Sequence, residues 1–244
     1  MNAIFVAGTD TGVGKTVVTG LLARNLSLRG YRVATQKWAQ TGRTSDLDAH
    51  LRWMGRRRAE FRGFLRAMVP VALAAPVSPH LAAELGGARV SASRIRRAFL
   101  RLSRHFDFVI VEGAGGLMVP FSRKKLLIDL AQELDLPVLL VAGNRLGAIN
   151  HILLSLEALK ARRMKLLGVV FNNAPALRVA GLSEAVNRIV LRDNPKIIES
   201  LSGQRALGVL PRTRRPGELM KRFAPIAEKV LAAYERLDRK RPEA

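Results

Sequence analysis

Gly8-Thr9-Asp10-Thr11-Gly12-Val13-Gly14-Lys15-Thr16 stands between an apolar run, Asn2 to Ala7, and a helical pattern that runs from Thr16 through Leu28 and closes at Gly30. A strand, a glycine-rich turn and a helix in that order bring backbone N–H groups and a helix N-terminus around one point, an arrangement that holds phosphate oxygens. In such a loop Lys15 reaches the β and γ phosphates, and the Thr16 hydroxyl ligates magnesium. The usual expression asks for glycine five residues before Gly14. Here that position is Thr9, with Gly8 beside it. Gly12, Gly14, Lys15 and Thr16 nevertheless stand in the context that predicts a nucleotide loop.

Outward from the loop the same alternation continues. Arg32 to Gln36 reads as a second strand, and further apolar or β-branched runs lie at Phe108 to Val111, Pro137 to Ala142, Leu166 to Phe171 and Leu207 to Leu210. Helix-length patterns separate them at Ser45 to Met54, Pro79 to Leu85, Ser91 to Arg104, Leu126 to Leu134, Ala148 to Ala161, Gly181 to Leu191 and Pro225 to Leu237. Continuous apolar strands between helices predict an α/β fold of the P-loop NTPase kind, a largely parallel sheet of about seven strands with helices on both faces. No repeat or low-complexity linker interrupts residues 1–244, so a single domain is expected, with a frayed polar tail from Asp238 to Ala244.

Composition narrows the function. A hydrophobic fraction of 48% with 25% charged residues describes a folded chain, because disordered chains lack the apolar surface to offset ordering entropy. There is no cysteine, which excludes disulfides, thiolate metal sites and thiol nucleophiles. Apolar stretches such as Leu136 to Ala142 fall far short of the roughly 20 residues that cross a bilayer. Met1 is followed at once by a strand-like run rather than a signal peptide, so a cytoplasmic protein with no membrane partner is expected. Lys and Arg number 41 against 19 acidic residues, a net charge of +22. The arginines cluster at Arg56 to Arg58; at Arg94, Arg96, Arg97, Arg101 and Arg104; at Arg212, Arg214 and Arg215; and near Arg239 to Arg241. With aromatic residues at only 5%, a base-stacking platform is poorly supplied, and solvated helix faces are expected rather than a nucleic-acid partner.

Three further features sit where an open α/β sheet binds ligands, at the C-terminal ends of strands. Glu112-Gly113-Ala114-Gly115-Gly116 follows the strand Phe108 to Val111 and offers a carboxylate for magnesium beside unobstructed backbone. Lys37 follows the second strand, a second cation for charge developing on a transferred phosphoryl group. Asp46 and Asp48 open the next helix. Two residues apart, they cannot share a face, so at most one of them is a metal ligand. His80 and His151 are read as capping or packing residues rather than catalysts.

Taken together, the loop, Lys37 with Gln40-Thr41-Gly42, Ser45-Asp46, Pro76 with Ser78-Pro79-His80-Leu81, Glu112 to Gly116, Leu146-Gly147 with Ile149-Asn150-His151, and Asn172 with Pro211 resemble the dethiobiotin synthetase family, in family order from about Ile4 to Glu218. That family's loop also carries threonine where the standard one has glycine. The resemblance implies ATP and Mg2+ as cofactors and a reaction in which 7,8-diaminopelargonic acid and CO2 are joined into a ureido ring. Carried over, Thr16, Asp46 and Glu112 are the magnesium ligands, and Lys37 with Lys15 is catalytic. Gly12, Val13, Gly14, Lys15, Thr16 and Val17, with Gly113, Ala114 and Gly115, hold the phosphates. Asn172 meets the adenine, and Asn173, Pro211, Arg212, Thr213 and Glu218 line the base and ribose. Thr41 contacts the diamine. Leu146, Gly147 and Asn150 lie in the family's dimer turn and help hold the substrate carboxylate, so a homodimer is implied. Trp38 stands where the family has proline; a ring there could redirect Lys37 or shrink the diamine pocket.

Two other classes compete. A P-loop switch ATPase of the chromosome-partition or cell-division-site type would suit the +22 charge, but such proteins carry an extra lysine near the start of the loop, where Asp10 stands. An amidotransferase-related synthetase of the cobalamin pathway would need a cysteine nucleophile to release its own ammonia, and the chain has none.

Overall fold

The computed structural model describes residues 2–173, 181, 183–213 and 215–239. The predicted tail from residue 240 onward, and Arg214 and Arg241 of the basic clusters, lie outside the described residues. The chain divides into two compact units, one of Met1–Ala7 and Lys15–Leu136, the other of Gly8–Gly14 and Pro137–Ala244.

The first unit contains, in chain order, β1 (Asn2–Gly8, its last residue in the second unit), α1 (Lys15–Leu28), β2 (Val33–Lys37), β3 (Gln40–Thr41), α2 (Asp46–Met54), α3 (Leu65–Met68), β4 (Ala72–Leu73), α4 (Pro79–Leu85), α5 (Ala92–Ser103), β5 (Phe108–Glu112), a small antiparallel pair of β6 (Pro120–Ser122) and β7 (Lys125–Leu126), and α6 (Leu127–Glu133). β5 lies between β1 and β2 and runs parallel to both. Every residue of β2 and β5 is buried, the signature of parallel strands covered on both faces. Register then does the functional work. Lys37 is opposite Glu112, so both strands end level and present their last side chains side by side.

α5 shows where part of the positive charge goes. Ile95, Phe99 and Leu102 face the core, while Arg94, Arg96, Arg97, Arg101 and Arg104 are all exposed. This is the solvated face expected of an amphipathic helix. Trp38 corrects one expectation. Successive side chains of an extended chain point to opposite sides, so with Lys37 directed to the strand ends the indole turns into the core. It is fully buried, stacks on Phe5 with ring centroids 4.8 Å apart, and its N–H donates to Gln36 Oε1 at 3.1 Å. Lys37 beside it reaches Glu112 and Asp46.

The second unit contains β8 (Val138–Gly143), α7 (Ala148–Ala161), β9 (Leu166–Asn172), α8 (Glu184–Ser202), β10 (Ala206–Leu210) and α9 (Pro216–Asp238). β9 lies between β8 and β10, parallel to both. Each unit thus holds three parallel strands, six among the described residues, where about seven were expected. Two helices are longer than their sequence patterns. α8 continues to Ser202 through Pro195, and α9 starts at Pro216 with Pro225 inside it rather than at its head. Proline lacks the N–H that would bond four residues back. In α8 the freed carbonyl is that of Leu191, and the Asn144 side chain donates to it at 2.8 Å. No described helix is long and apolar enough to cross a membrane.

Candidate active site

Four of the expected residues of the first unit converge. The Thr16 hydroxyl, in the first turn of α1, donates to Glu112 Oε1 at 2.9 Å and lies 3.4 Å from Asp46 Oδ1. Lys37 Nζ lies 2.7 Å from Glu112 Oε1, 2.8 Å from Asp46 Oδ2 and 3.0 Å from the Gly113 carbonyl. Each arrives on a different support: α1, the end of β2, the start of α2 and the end of β5. Gly113 packs closely here, since a Cβ would lie 3.0 Å from the Phe5 ring. Ala114 is buried and Gly115 half-buried beyond it.

Burial opposes charge on both central groups and is the largest influence on each. For Glu112 it would raise the carboxyl, but the Lys37 charge and the hydrogen bonds from His50 and Lys37 outweigh it and hold the group well below the usual carboxylate range. For Lys37 burial would lower the ammonium, but the Glu112 and Asp46 charges outweigh it and push it above the ordinary lysine range. The pair is charged and mutually dependent. A threonine hydroxyl and two carboxylates are hard oxygen donors of the kind magnesium takes, so Thr16, Asp46 and Glu112 suit that ion.

The two aspartates at the head of α2 separate as the spacing required. Asp46 faces the cluster, whereas Asp48 pairs with Arg58 at 2.6 Å and is held below its ordinary range by that hydrogen bond. Ser45 caps the helix by accepting from the Asp48 N–H at 3.1 Å. Gln40 accepts from the Asp46 N–H at 2.9 Å and so fixes the helix head, a role the sequence reading did not assign. Neither did it find His50, which is fully buried with Nε2 2.5 Å from Glu112 Oε2. The available signal was spacing, because His50 lies four residues after Asp46 and shares its face. Thr41 is half-buried in β3 beside β4. His80 Nδ1 lies 3.1 Å from the Ser78 hydroxyl, and His151 lies in α7.

In the second unit the loop from Gly8 to Gly14 is held at two points. The Thr9 N–H donates to the Val141 carbonyl at 3.0 Å, and Asn172 Nδ2 donates to the Val13 carbonyl at 2.9 Å. Asn172 thus spends one amide N–H on the loop itself. Gly14 is the consequence: its φ is +100°, and a Cβ there would fall 2.3 Å from Asn172 Nδ2. Gly14→Ala is expected to lower nucleotide affinity at least tenfold and to destabilise the protein by about 1–3 kcal/mol. Isothermal titration with ADP and a thermal melt would check both. Lys15, directly after Gly14, is buried at the head of α1, and Val17 is half-buried.

Around Asn172 is a small asparagine network. Asn144 donates to Asn173 Oδ1 at 2.8 Å and accepts from Asn194 Nδ2 at 2.8 Å, while the Asn173 N–H donates to the Leu210 carbonyl at 3.0 Å. Pro211 follows β10. The Thr213 hydroxyl donates to Glu218 Oε2 at 2.7 Å, and Arg212 reaches Glu184 at 3.8 Å. Leu146, Gly147 and Asn150 are exposed around the start of α7, and Asp10 lies 3.6 Å from Arg145.

Comparison with known proteins adds the chemistry. A family model described as an AAA domain matches residues 2–216. An ATP-dependent dethiobiotin synthetase of Thermodesulfovibrio yellowstonii is 36% identical over 217 residues, covering 85% of this chain and 87% of the relative. The chain belongs to the dethiobiotin synthetase family. A second member, from Halalkalibacterium halodurans, is 35% identical, with 86% and 85% covered. Among solved structures, the cell division ATPase MinD of Pyrococcus furiosus has a TM-score of 0.57 at 18% identity, covering 95% of this chain and 99% of that one. Cobyrinic acid a,c-diamide synthase of Mycobacterium smegmatis, with bound ADP and magnesium, has a TM-score of 0.58 at 18% identity, covering 96% and 95%. These likenesses establish the P-loop fold alone. That fold is shared with both competing classes, so membership of the dethiobiotin synthetase family is what separates this chain from them.

Proposed function

We propose that the protein closes a ureido ring on 7,8-diaminopelargonic acid with CO2 and ATP, giving dethiobiotin, ADP and phosphate. One amine adds to CO2 as a carbamate. A carbamate oxygen then takes the γ-phosphoryl group of ATP, and the second amine attacks the carbonyl carbon and expels phosphate. No protein nucleophile is required, in keeping with a chain that has no cysteine. Catalysis of such a transfer is mostly positioning and electrostatic stabilisation. The observation that carries the reading is the buried ammonium of Lys37 fixed by two carboxylates and a carbonyl, in a chain with the family's phosphate loop.

In this reading Gly12 to Val17 bind the triphosphate and Lys15 neutralises its terminal oxygens. Thr16, Asp46 and Glu112 hold magnesium, which supplies charge neutralisation at the phosphates. Lys37 stabilises charge on the transferred group. Asn172, Asn173, Pro211 to Thr213 and Glu218 receive the base and ribose, and Thr41 the diamine. Asn172 has a second amide N–H and its carbonyl oxygen for the base. A cytoplasmic homodimer, with Leu146, Gly147 and Asn150 at the subunit boundary, belongs to the proposal. So does a single working domain, supported by the direct peptide link between Gly14 and Lys15 and by a family match running from residue 2 to 216.

The test is a dethiobiotin assay with ATP turnover followed in parallel. Phosphate release is expected to need magnesium, bicarbonate and the diamine together, with one ADP formed per dethiobiotin. Turnover that is equal with and without the diamine, and is stimulated by DNA, would overturn the reading in favour of a switch ATPase.

A further inference from the structure

Glu112 has two carboxylate oxygens, and the structure divides them. Oε1 faces the Thr16 hydroxyl at 2.9 Å and Lys37 Nζ at 2.7 Å, the side on which the proposed ion would sit. Oε2 faces His50 Nε2 at 2.5 Å. Since a carboxylate only accepts, Nε2 carries the proton and donates. The ring is held from its other edge by the Thr35 hydroxyl, 3.1 Å from Nδ1, on the strand that also carries Lys37. His50 and Glu112 are both fully buried, so neither has water as an alternative partner.

The approach that lets His50 reach so far has its own cause in α1. A Cβ on Gly20 would fall 2.5 Å from Trp53 Cβ and 3.1 Å from the His50 carbonyl, so only glycine lets α1 and α2 come this close. Asp46 and His50, one turn apart on α2, are thereby brought to the same carboxylate cluster from one helix face. The backbone supports on all sides are regular elements, α1, α2, β2 and β5, which is the setting in which a rotamer is fixed within a few tenths of an ångström.

We propose that His50 is a positioning residue for magnesium binding. It pins Oε2 of Glu112 so that the carboxylate plane cannot rotate and Oε1 alone is offered to the ion. It touches neither ion nor substrate. A buried glutamate without that donor would swing, or present both oxygens, and would lose its alignment with Thr16 and Asp46. This inference rests on the reading of Glu112 as a magnesium ligand.

The experiment compares His50→Leu, which removes the donor, with His50→Gln, whose Nε2 can replace it. Mn2+ is titrated into each variant with ADP present, and free Mn2+ is followed by electron paramagnetic resonance. His50→Leu is expected to bind Mn2+ about 10–100-fold more weakly than the natural protein, with most of the loss restored in His50→Gln. In turnover, the apparent KM for magnesium should rise while that for the diamine stays unchanged. Natural affinity for Mn2+ in a folded His50→Leu, or a folded His50→Gln as weak as His50→Leu, overturns the proposal. If His50→Leu does not fold, Thr35→Val removes only the bond that orients the ring; a few-fold weakening of Mn2+ binding supports the proposal, and none overturns it. Glu112→Gln separates the two readings. If it leaves Mn2+ binding intact, the ligand assignment itself fails; if it weakens binding while His50→Leu does not, only the role of His50 fails.

Discussion

Lys37→Ala is expected to lose dethiobiotin formation by a factor of about 10²–10³ or more while still binding ADP. The ammonium is bonded to both Glu112 and Asp46, at 2.7 and 2.8 Å, so its loss removes positive charge from both acids at once. Truncation also acts on the fold. It leaves the buried Glu112 carboxylate without its counter-charge, and breaking such a pair costs roughly 3–5 kcal/mol. The variant should therefore melt at a lower temperature, and excess magnesium should recover part of the loss by supplying positive charge to the same oxygens. Product assays run well below the lowered melting point, with ADP titration calorimetry alongside, separate chemistry from folding. Normal turnover in this variant would remove Lys37 from the catalytic machinery.

Glu112→Gln is expected to be as damaging. Three donors, Thr16 Oγ1, Lys37 Nζ and His50 Nε2, converge on the two carboxylate oxygens. An amide offers one oxygen and one NH2, so it cannot accept from all three, and it carries no charge to balance Lys37. The Coulomb attraction that keeps Lys37 charged against burial is weakened at the same time. Turnover should fall at least about 100-fold, the magnesium concentration needed for half-maximal rate should rise, and the melting temperature should drop. A magnesium titration of the rate together with a thermal melt checks all three. A variant with the natural magnesium dependence would show that this carboxylate holds no ion.

The residues differ in how far their roles can be read before folding. The phosphate loop is local: its glycines, Lys15 and Thr16 lie within nine consecutive residues, and strand–turn–helix context suffices. The paired ends of β2 and β5 were legible only as two strand ends, because the register that sets Lys37 opposite Glu112 spans 75 residues. The His50 contact was not legible. It depends on how near α1 lets α2 come, a matter of Gly20 and packing rather than pattern. The pattern of α8 was legible only as far as Leu191. The helix continues through Pro195, and the carbonyl which that proline leaves open accepts from Asn144, distant in sequence. Trp38 misled by its size, which drew attention when strand alternation already directed it inward.

The bridging ammonium also bears on how the resting cluster stays together. Without it the buried Glu112 and the half-buried Asp46 would face each other as bare like charges and strain the strand end and the helix head that carry them. A tethered cation lies instead against one oxygen of each acid, so the resting protein supplies its own counter-charge there.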